Sequence, residues 1–151
     1  MNQEKLMKRR MIRAIVLLII TFIALLVFIG LYVDETRRVQ ETYRKQYKTS
    51  LNGVVESMTS YLDNDGDHDL RYARILSDMS SANSFAFLID SLSDDQKKTI
   101  NELHACIMKY PEQMSERFEE TRTAINDIIA DTDKGYEEAA AVVDSVDKQG
   151  N

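Results

Sequence analysis

Residues 14–33 read AIVLLIITFIALLVFIGLYV, and this stretch decides how the rest of the chain can fold. It holds 20 consecutive positions without a charged side chain. An α-helix of that length is roughly 30 Å long, which matches the hydrocarbon core of a bilayer. Because a helix satisfies its own backbone hydrogen bonds, lipid can surround it on every side. We therefore predict a transmembrane helix here, rather than the buried core helix of a soluble protein.

The flanks of this stretch bear on its processing and its orientation. Five basic residues precede it, as in a signal peptide, but the run exceeds the usual apolar core of about 7–15 residues and no small-residue cleavage site follows. We therefore expect an uncleaved signal anchor. Lys and Arg are equally numerous before the span and just after it, so charge does not set the orientation. The short leading tail and long following segment favour a cytoplasmic N-terminus and an extracytoplasmic C-terminal domain.

The composition of the chain excludes several classes of protein. A single cysteine in 151 residues rules out an internal disulfide framework and a four-cysteine zinc site. The net charge of −6 argues against general nucleic-acid binding. Residues 63–151 carry nine basic and twenty acidic side chains, which predicts a well-solvated domain. Attraction of cations or of a basic partner is the alternative role for this acidity.

Apolar residues continue at helical spacing after the span, in steps of four and three. They are Val39, Tyr43, Tyr47, Leu51, Val55, Met58 and Leu62. No proline interrupts them, so we expect the membrane helix to continue directly into this one. Residues 63–69 (DNDGDHD) then predict the loop of a helical hairpin, with Asp67 or Asp69 capping the next helix.

Two local signals divide the remaining residues. Ser93 and Gln96 form a capping-box pattern that predicts the start of a third helix. Pro111 ends or kinks that helix and suits the first position of a fourth, which we expect to run toward Gly135 as a C-terminal stop. A weak apolar stripe follows from Tyr136.

The predicted fold is all-α, with a single N-terminal transmembrane helix continuing into an extracytoplasmic antiparallel bundle of three to four helices. We assign residues 1–13 to a short basic cytoplasmic tail and 14–33 to the signal anchor. Residues 34–135 form the bundle, and residues 136–151 form a short helical or disordered acidic tail. The apolar stripes need cover, either from within the chain or from a second copy of it.

One group of residues has the spacing of a metal site. The alternating aspartates Asp63, Asp65, Asp67 and Asp69 match positions 1, 3, 5 and 7 of a calcium loop. However, His68 stands where such a loop needs glycine, and Arg74 stands where it needs a bidentate glutamate. We expect a solvated turn here, with a weak calcium site as the alternative.

The sequence contains no pattern typical of catalysis. His104 and Cys106 are two positions apart on a predicted helix and face different ways, and no phosphate-binding loop or hydrolase motif is present. We expect Cys106 to be a small buried apolar residue, with a disulfide across a dimer as the alternative. We therefore expect neither an enzyme nor a bound cofactor.

In layout, the chain resembles the input half of bacterial four-helix-bundle receptors, with a basic start, one span and an external bundle. Such receptors return through a second span, and none follows residue 151, so a receptor role would require a partner to carry the signal. Our leading hypothesis is a membrane-tethered module that binds another membrane or envelope protein. A ligand-sensing accessory domain is one alternative. The other is a scaffold resembling short bitopic division proteins, paired as a coiled-coil homodimer.

Overall fold

The computed structural model describes residues 2–63 and 66–148, and all of their regular structure is helical. The helices are α1 (Asn2–Asp63), α2 (His68–Leu88), α3 (Asp94–Lys109), α4 (Pro111–Ser115), α5 (Phe118–Ala130) and α6 (Tyr136–Ser145). The all-α prediction is confirmed for these residues. The apolar stretch lies in one long N-terminal helix, as expected from the uninterrupted pattern.

The chain divides within α1 into two compact units, Met1–Val39 and Gln40–Asn151. In the first unit, the most apolar 18-residue window has a mean hydropathy of 3.2, and none of it is buried. Its one hydroxyl-bearing residue before Gly30, Thr21, donates a hydrogen bond to the Leu17 carbonyl oxygen at 2.9 Å. That bond satisfies the hydroxyl within the helix. Among the described residues, α1 alone is long and apolar enough to cross a membrane.

The second unit has a hydrophobic core to which α2 to α6 and residues 40–63 of α1 all contribute. Its largest fully buried side chains are Tyr47, Leu51, Met58, Ile75, Met79, Ile89, Ile100, Leu103, Ile107, Met114, Phe118 and Ile125. The predicted stripe after the span is therefore largely covered by the chain's own helices. Only its last member, Leu62, is exposed.

Residues 40–63 and α2 form the predicted helical hairpin. At one end, the Gln40 side chain donates to the Leu88 carbonyl oxygen at 3.1 Å and accepts from the Asp90 N–H at 3.0 Å. At the other end, the rings of Tyr61 and His68 are 4.7 Å apart. Because both ends of the hairpin are joined in this way, the two segments run antiparallel.

The predicted cap of α2 needs correction. Asp67 stands at the N-cap, but its backbone is left-handed (φ 55°, ψ 37°) and its side chain makes no capping hydrogen bond. An N-cap side chain reaches the free N–H groups from an extended backbone, which Asp67 does not have. Asp69 instead lies inside the first turn, where its charge complements the helix dipole.

The capping box at the start of α3 is confirmed. The Ser93 hydroxyl accepts from the Gln96 N–H at 3.2 Å, and the Ser93 N–H donates to the Gln96 side-chain oxygen at 2.8 Å. The helix ends at Lys109, and Pro111 occupies the first position of α4. Pro111 thus separates two helices, one of the two outcomes left open by the sequence.

The predicted fourth helix is interrupted at Arg117. This residue has φ −108° and ψ 12°, and its N–H bonds to the Met114 carbonyl three residues back. The Gln113 carbonyl, left without its usual N–H donor, accepts instead from the Arg117 guanidinium at 3.0 Å. The same guanidinium also donates to the hydroxyl of Ser145 at 2.7 Å. These side-chain bonds accompany the break between α4 and α5.

The C-terminal part of the chain also differs from expectation. Gly135 does not end the preceding helix, which stops at Ala130, but is the N-cap of α6. Most of the apolar stripe on α6 is buried in the same core: Tyr136, Ala139, Val142 and Val143. The helical part of the predicted tail is thus a core helix. Small side chains such as Ala139 give a weak sequence signal even where they pack closely.

A buried pair of tyrosines links α1 to α6. The hydroxyl oxygens of Tyr47 and Tyr136 are 3.2 Å apart, and Tyr47 is fully buried. Burial, aided by the neighbouring Tyr136, raises the pKa of Tyr47 far above its ordinary 10.0. Burial also raises the pKa of Tyr136. The folded state therefore favours both neutral phenols.

We predict that these two phenols make the second unit less stable as the pH rises above about 10. Below the unfolded-state pKa of about 10, both phenols are neutral whether the chain is folded or unfolded. Above it, the free energy of unfolding should fall by up to about 1.4 kcal/mol per pH unit for each phenol that stays neutral in the folded state. Urea unfolding of the full chain in detergent, from about pH 8 to 11.5, measures this slope. Tyr47→Phe should make the slope shallower, and an identical slope in both proteins would contradict the assignment.

Candidate functional site

An open cleft lies where the end of α1 and the start of α2 meet the junction between α3 and α4. Its volume is about 380 Å³. The lining residues are Tyr61, His68, Asp69, Tyr72, Ala73, Leu76, Pro111, Glu112 and Ser115. We call this feature the aromatic cleft, because rings form much of its wall.

The rings of the aromatic cleft are held by a buried phenylalanine. The Phe118 centroid lies 5.1 Å from that of Tyr61, edge to face, and 5.7 Å from that of Tyr72. Tyr61 and Tyr72 are 6.1 Å apart in a second edge-to-face pair. Such pairs are worth about 0.5–1.5 kcal/mol each beyond the burial of their area. Phe118 is fully buried, so it anchors two rings that are only partly covered.

Tyr72 is further fixed by an unusual hydrogen bond. In an uninterrupted helix, the Ile107 carbonyl would accept from the N–H four residues later, but residue 111 is proline and has none. The Tyr72 hydroxyl takes that place and donates to the Ile107 oxygen at 2.7 Å. Burial raises the pKa of Tyr72, which keeps the hydroxyl a donor. Pro111 therefore has two effects on the cleft. Its side chain lines it, and its missing N–H leaves the Ile107 carbonyl oxygen able to accept from the Tyr72 hydroxyl, which fixes the Tyr72 ring.

We predict that Tyr72→Phe destabilises the second unit by about 1–3 kcal/mol, because it leaves the Ile107 carbonyl without its donor. Urea unfolding of the full chain in detergent, followed by circular dichroism, measures the change. Tyr32→Phe, at a residue 68% exposed in the first unit, serves as the control and should leave the unfolding midpoint unchanged. Equal midpoints for all three proteins would show that the bond has no net value.

The aromatic cleft carries two carboxylates, and the imidazole of His68 also lines it. Asp69 and Glu112 contribute these carboxylates from the first turns of α2 and α4, and no Lys or Arg is among the described residues that line the cleft. Both acidic residues are exposed. The Ser115 hydroxyl donates to the Glu112 backbone carbonyl at 2.8 Å. The cleft therefore combines an apolar, ring-lined wall with two exposed carboxylates.

The calcium candidates flank this cleft only in part. Asp63, Asp67 and Asp69 are exposed, and Asp69 alone of them lines the cleft, while Asp65 lies outside the described residues. Within residues 2–63 and 66–148, no group of three or more His, Cys, Asp or Glu could hold a metal ion. The calcium site stays a prediction, since one of its four proposed ligands is not described.

The other singled-out residue, Cys106, is buried as predicted, with 3% of its surface exposed. Burial raises the pKa of its thiol, which disfavours the reactive thiolate. It borders a small cavity of about 120 Å³ beside Tyr110 and Lys148. This position suits a packing role.

A second, larger cleft of about 590 Å³ lies by the starts of α3 and α6. Its lining includes Asp95, Asp127, Asp133, Glu137 and Glu138, together with Lys134. The Lys134 ammonium lies 3.2 Å from an Asp131 carboxylate oxygen, so this surface already contains a positively charged side chain of the protein itself. Among the described residues that line this cleft, one has an aromatic ring, Tyr136, and it is mostly buried.

Most residues of the aromatic cleft were not singled out by the sequence. Tyr61, Tyr72 and Phe118 come from three helices, and no local pattern brings them together. The available signal was modest: aromatic residues near helix ends, on either side of a polar turn. No family of known proteins matches this chain, and neither a curated protein nor a solved structure is significantly similar to it.

Proposed function

We propose that this protein is a membrane-anchored, non-enzymatic interaction module that binds a partner protein through the aromatic cleft. Residues 14–33 anchor it in the bilayer, with the N-terminus cytoplasmic and the second unit, an antiparallel helical bundle, outside. The observation that carries the proposal is the aromatic cleft itself. It presents two partly exposed tyrosine rings, already fixed by Phe118, at the surface.

The anchoring part rests on exposure. Large apolar side chains from Ile15 to Val33 are 42–71% exposed, a surface that water would disfavour and lipid would cover. The acidic balance of residues 63–151 supports a solvated domain that stays away from anionic headgroups.

The binding part rests on the character of the aromatic cleft. Interface hot spots favour tyrosine, and rigid rings lose little conformational entropy when a partner docks. Tyr61 and Tyr72 meet both conditions. Their sequence neighbours supply further apolar surface, since Leu62 is 38% exposed and Leu70, next to Asp69, is 56% exposed.

The contacts within the second unit argue against one alternative function, the coiled-coil scaffold, and are compatible with the other, the ligand-sensing domain. A coiled-coil scaffold needs the stripe after the span to be free, but Tyr47, Leu51 and Met58 are fully buried within the chain. A ligand-sensing accessory domain remains the second candidate, because about 380 Å³ lies within the range of small-molecule pockets. Ligand-dependent melting of the full chain would favour that second candidate.

The test uses a photo-crosslinking amino acid in intact cells. Ala73 lines the aromatic cleft and Ala141 lies on α6, and both are exposed helical alanines. We expect one defined adduct with a membrane or envelope protein from position 73 and none from position 141. The captured protein is identified by mass spectrometry and purified.

Affinity measurements then separate docking from chance proximity. Ala73→Arg places a long charged side chain on the cleft wall and should weaken binding of the purified partner by about tenfold or more, whereas Ala141→Arg should not. No adduct from position 73, or equal effects of both substitutions, would contradict the proposed function.

A further inference from the structure

We infer that the partner inserts a cationic side chain, arginine or lysine, into the aromatic cleft. The rings of Tyr61 and Tyr72 lie on one side of this side chain, and the carboxylates of Asp69 and Glu112 lie on the other. This inference rests on the proposed function and specifies the chemistry of the segment that docks. It commits to a basic segment of another protein as the occupant.

The wall of the cleft fits the two halves of such a side chain. Arginine and lysine have an apolar stem and a charged head, and the stem packs on rings and on groups such as Leu76. A cation within about 6 Å of a tyrosine ring is attracted by its electron-rich face. Tyr61 and Tyr72 are held in place by Phe118, so these rings need not reorganise to receive it.

The charges complement the head group. Among the described residues, neither Asp69 nor Glu112 is in an ion pair, and no Lys or Arg lines the cleft. Each carboxylate can accept a pair of hydrogen bonds from a guanidinium. The net acidity of residues 63–151 adds a field that attracts a basic segment and repels an acidic one.

The larger acidic cleft does not fit the same occupant. It already contains Lys134, whose ammonium lies 3.2 Å from Asp131, and its single ring, Tyr136, is 7% exposed. A cation entering there would meet a like charge and no aromatic wall. The combination of free carboxylates with two fixed, accessible rings is found at the aromatic cleft.

The test compares two neutralised variants in the full chain, with the crosslinker at position 73 in intact cells. Asp69→Asn with Glu112→Gln removes both cleft carboxylates. Asp94→Asn with Glu137→Gln removes two exposed acids, also from first turns of helices, and so matches the lost charge and the lost dipole interaction. We expect the adduct yield to fall about tenfold in the first pair and to persist in the second.

Mapping of the adduct supplies an independent readout. The crosslinked partner peptide should carry a lysine or arginine within about one helical turn of the attachment point. An unchanged yield in the cleft variant, or a crosslinked segment without a basic residue, overturns this inference and leaves the proposed function standing. The absence of any adduct in the unmodified cleft overturns the proposed function and the inference with it. Circular dichroism of each purified variant verifies that its helix content is intact.

Discussion

Replacing Gly135 by alanine should destabilise the second unit by about 3–5 kcal/mol, because two independent penalties combine at this residue. Its φ is +81°, a left-handed conformation that costs an L-residue about 1–2 kcal/mol. A Cβ atom there would also overlap the Ala124 carbonyl oxygen and lie 2.9 Å from the backbone nitrogen of Ile128. These are backbone atoms of α5, which cannot rotate aside.

Two further variants separate the causes. Gly66→Ala is the control, because a Cβ at Gly66 meets nothing within 4 Å, and we expect a change of no more than about 0.5 kcal/mol. Gly135→Asn tolerates the left-handed backbone but retains the overlap, so it should not restore stability. Urea unfolding in lipid nanodiscs, followed by tyrosine near-ultraviolet circular dichroism, measures all three. Recovery with asparagine would show that backbone conformation alone is responsible.

Gly135 illustrates what local sequence chemistry predicts and what it leaves out. The residue type indicated a break in the helix, but not that the glycine begins α6 and approaches α5 closely. The same holds for Arg117, where the break is accompanied by side-chain bonds to Gln113 and to Ser145, 28 residues away. By contrast, the capping box of Ser93 follows from neighbouring residues, and the sequence predicted it. The sequence also predicted that Pro111 interrupts the helix, but it left open whether the proline kinks one helix or separates two.

The candidate site was less predictable than the fold for the same reason. The sequence singled out Asp69, but for a calcium loop, because its spacing from other aspartates is visible along the chain. Its place beside Tyr61 and Glu112 arises only when α2 and α4 come together. A bond such as that from Tyr72 to Ile107 can be sought from the sequence, because a proline has no N–H to donate to the carbonyl four residues before it in a helix. Which side chain supplies the donor depends on tertiary packing.

Truncating Phe118 to alanine should cost about 3–5 kcal/mol, the range for a buried phenylalanine, and should also impair the aromatic cleft. Phe118 is fully buried and contacts the rings of both Tyr61 and Tyr72. Without it, the two rings lose their shared support and can adopt other rotamers. Any stably folded fraction of the variant should therefore bind its partner less well. Urea unfolding in nanodiscs and crosslinking from position 73 measure these two effects separately.

Matched controls distinguish core packing from loss of an aromatic side chain in general. Phe87 is 56% exposed, so Phe87→Ala should change stability by no more than about 0.5 kcal/mol. Phe118→Leu keeps the site apolar at a somewhat smaller volume but removes the ring contacts to Tyr61 and Tyr72, so it should cost about 1.5–3 kcal/mol, less than the alanine variant. If the proposed function is correct, that leucine variant should remain folded yet crosslink less efficiently. Full crosslinking by a folded Phe118→Leu protein would mean that ring positioning by Phe118 is not needed for docking.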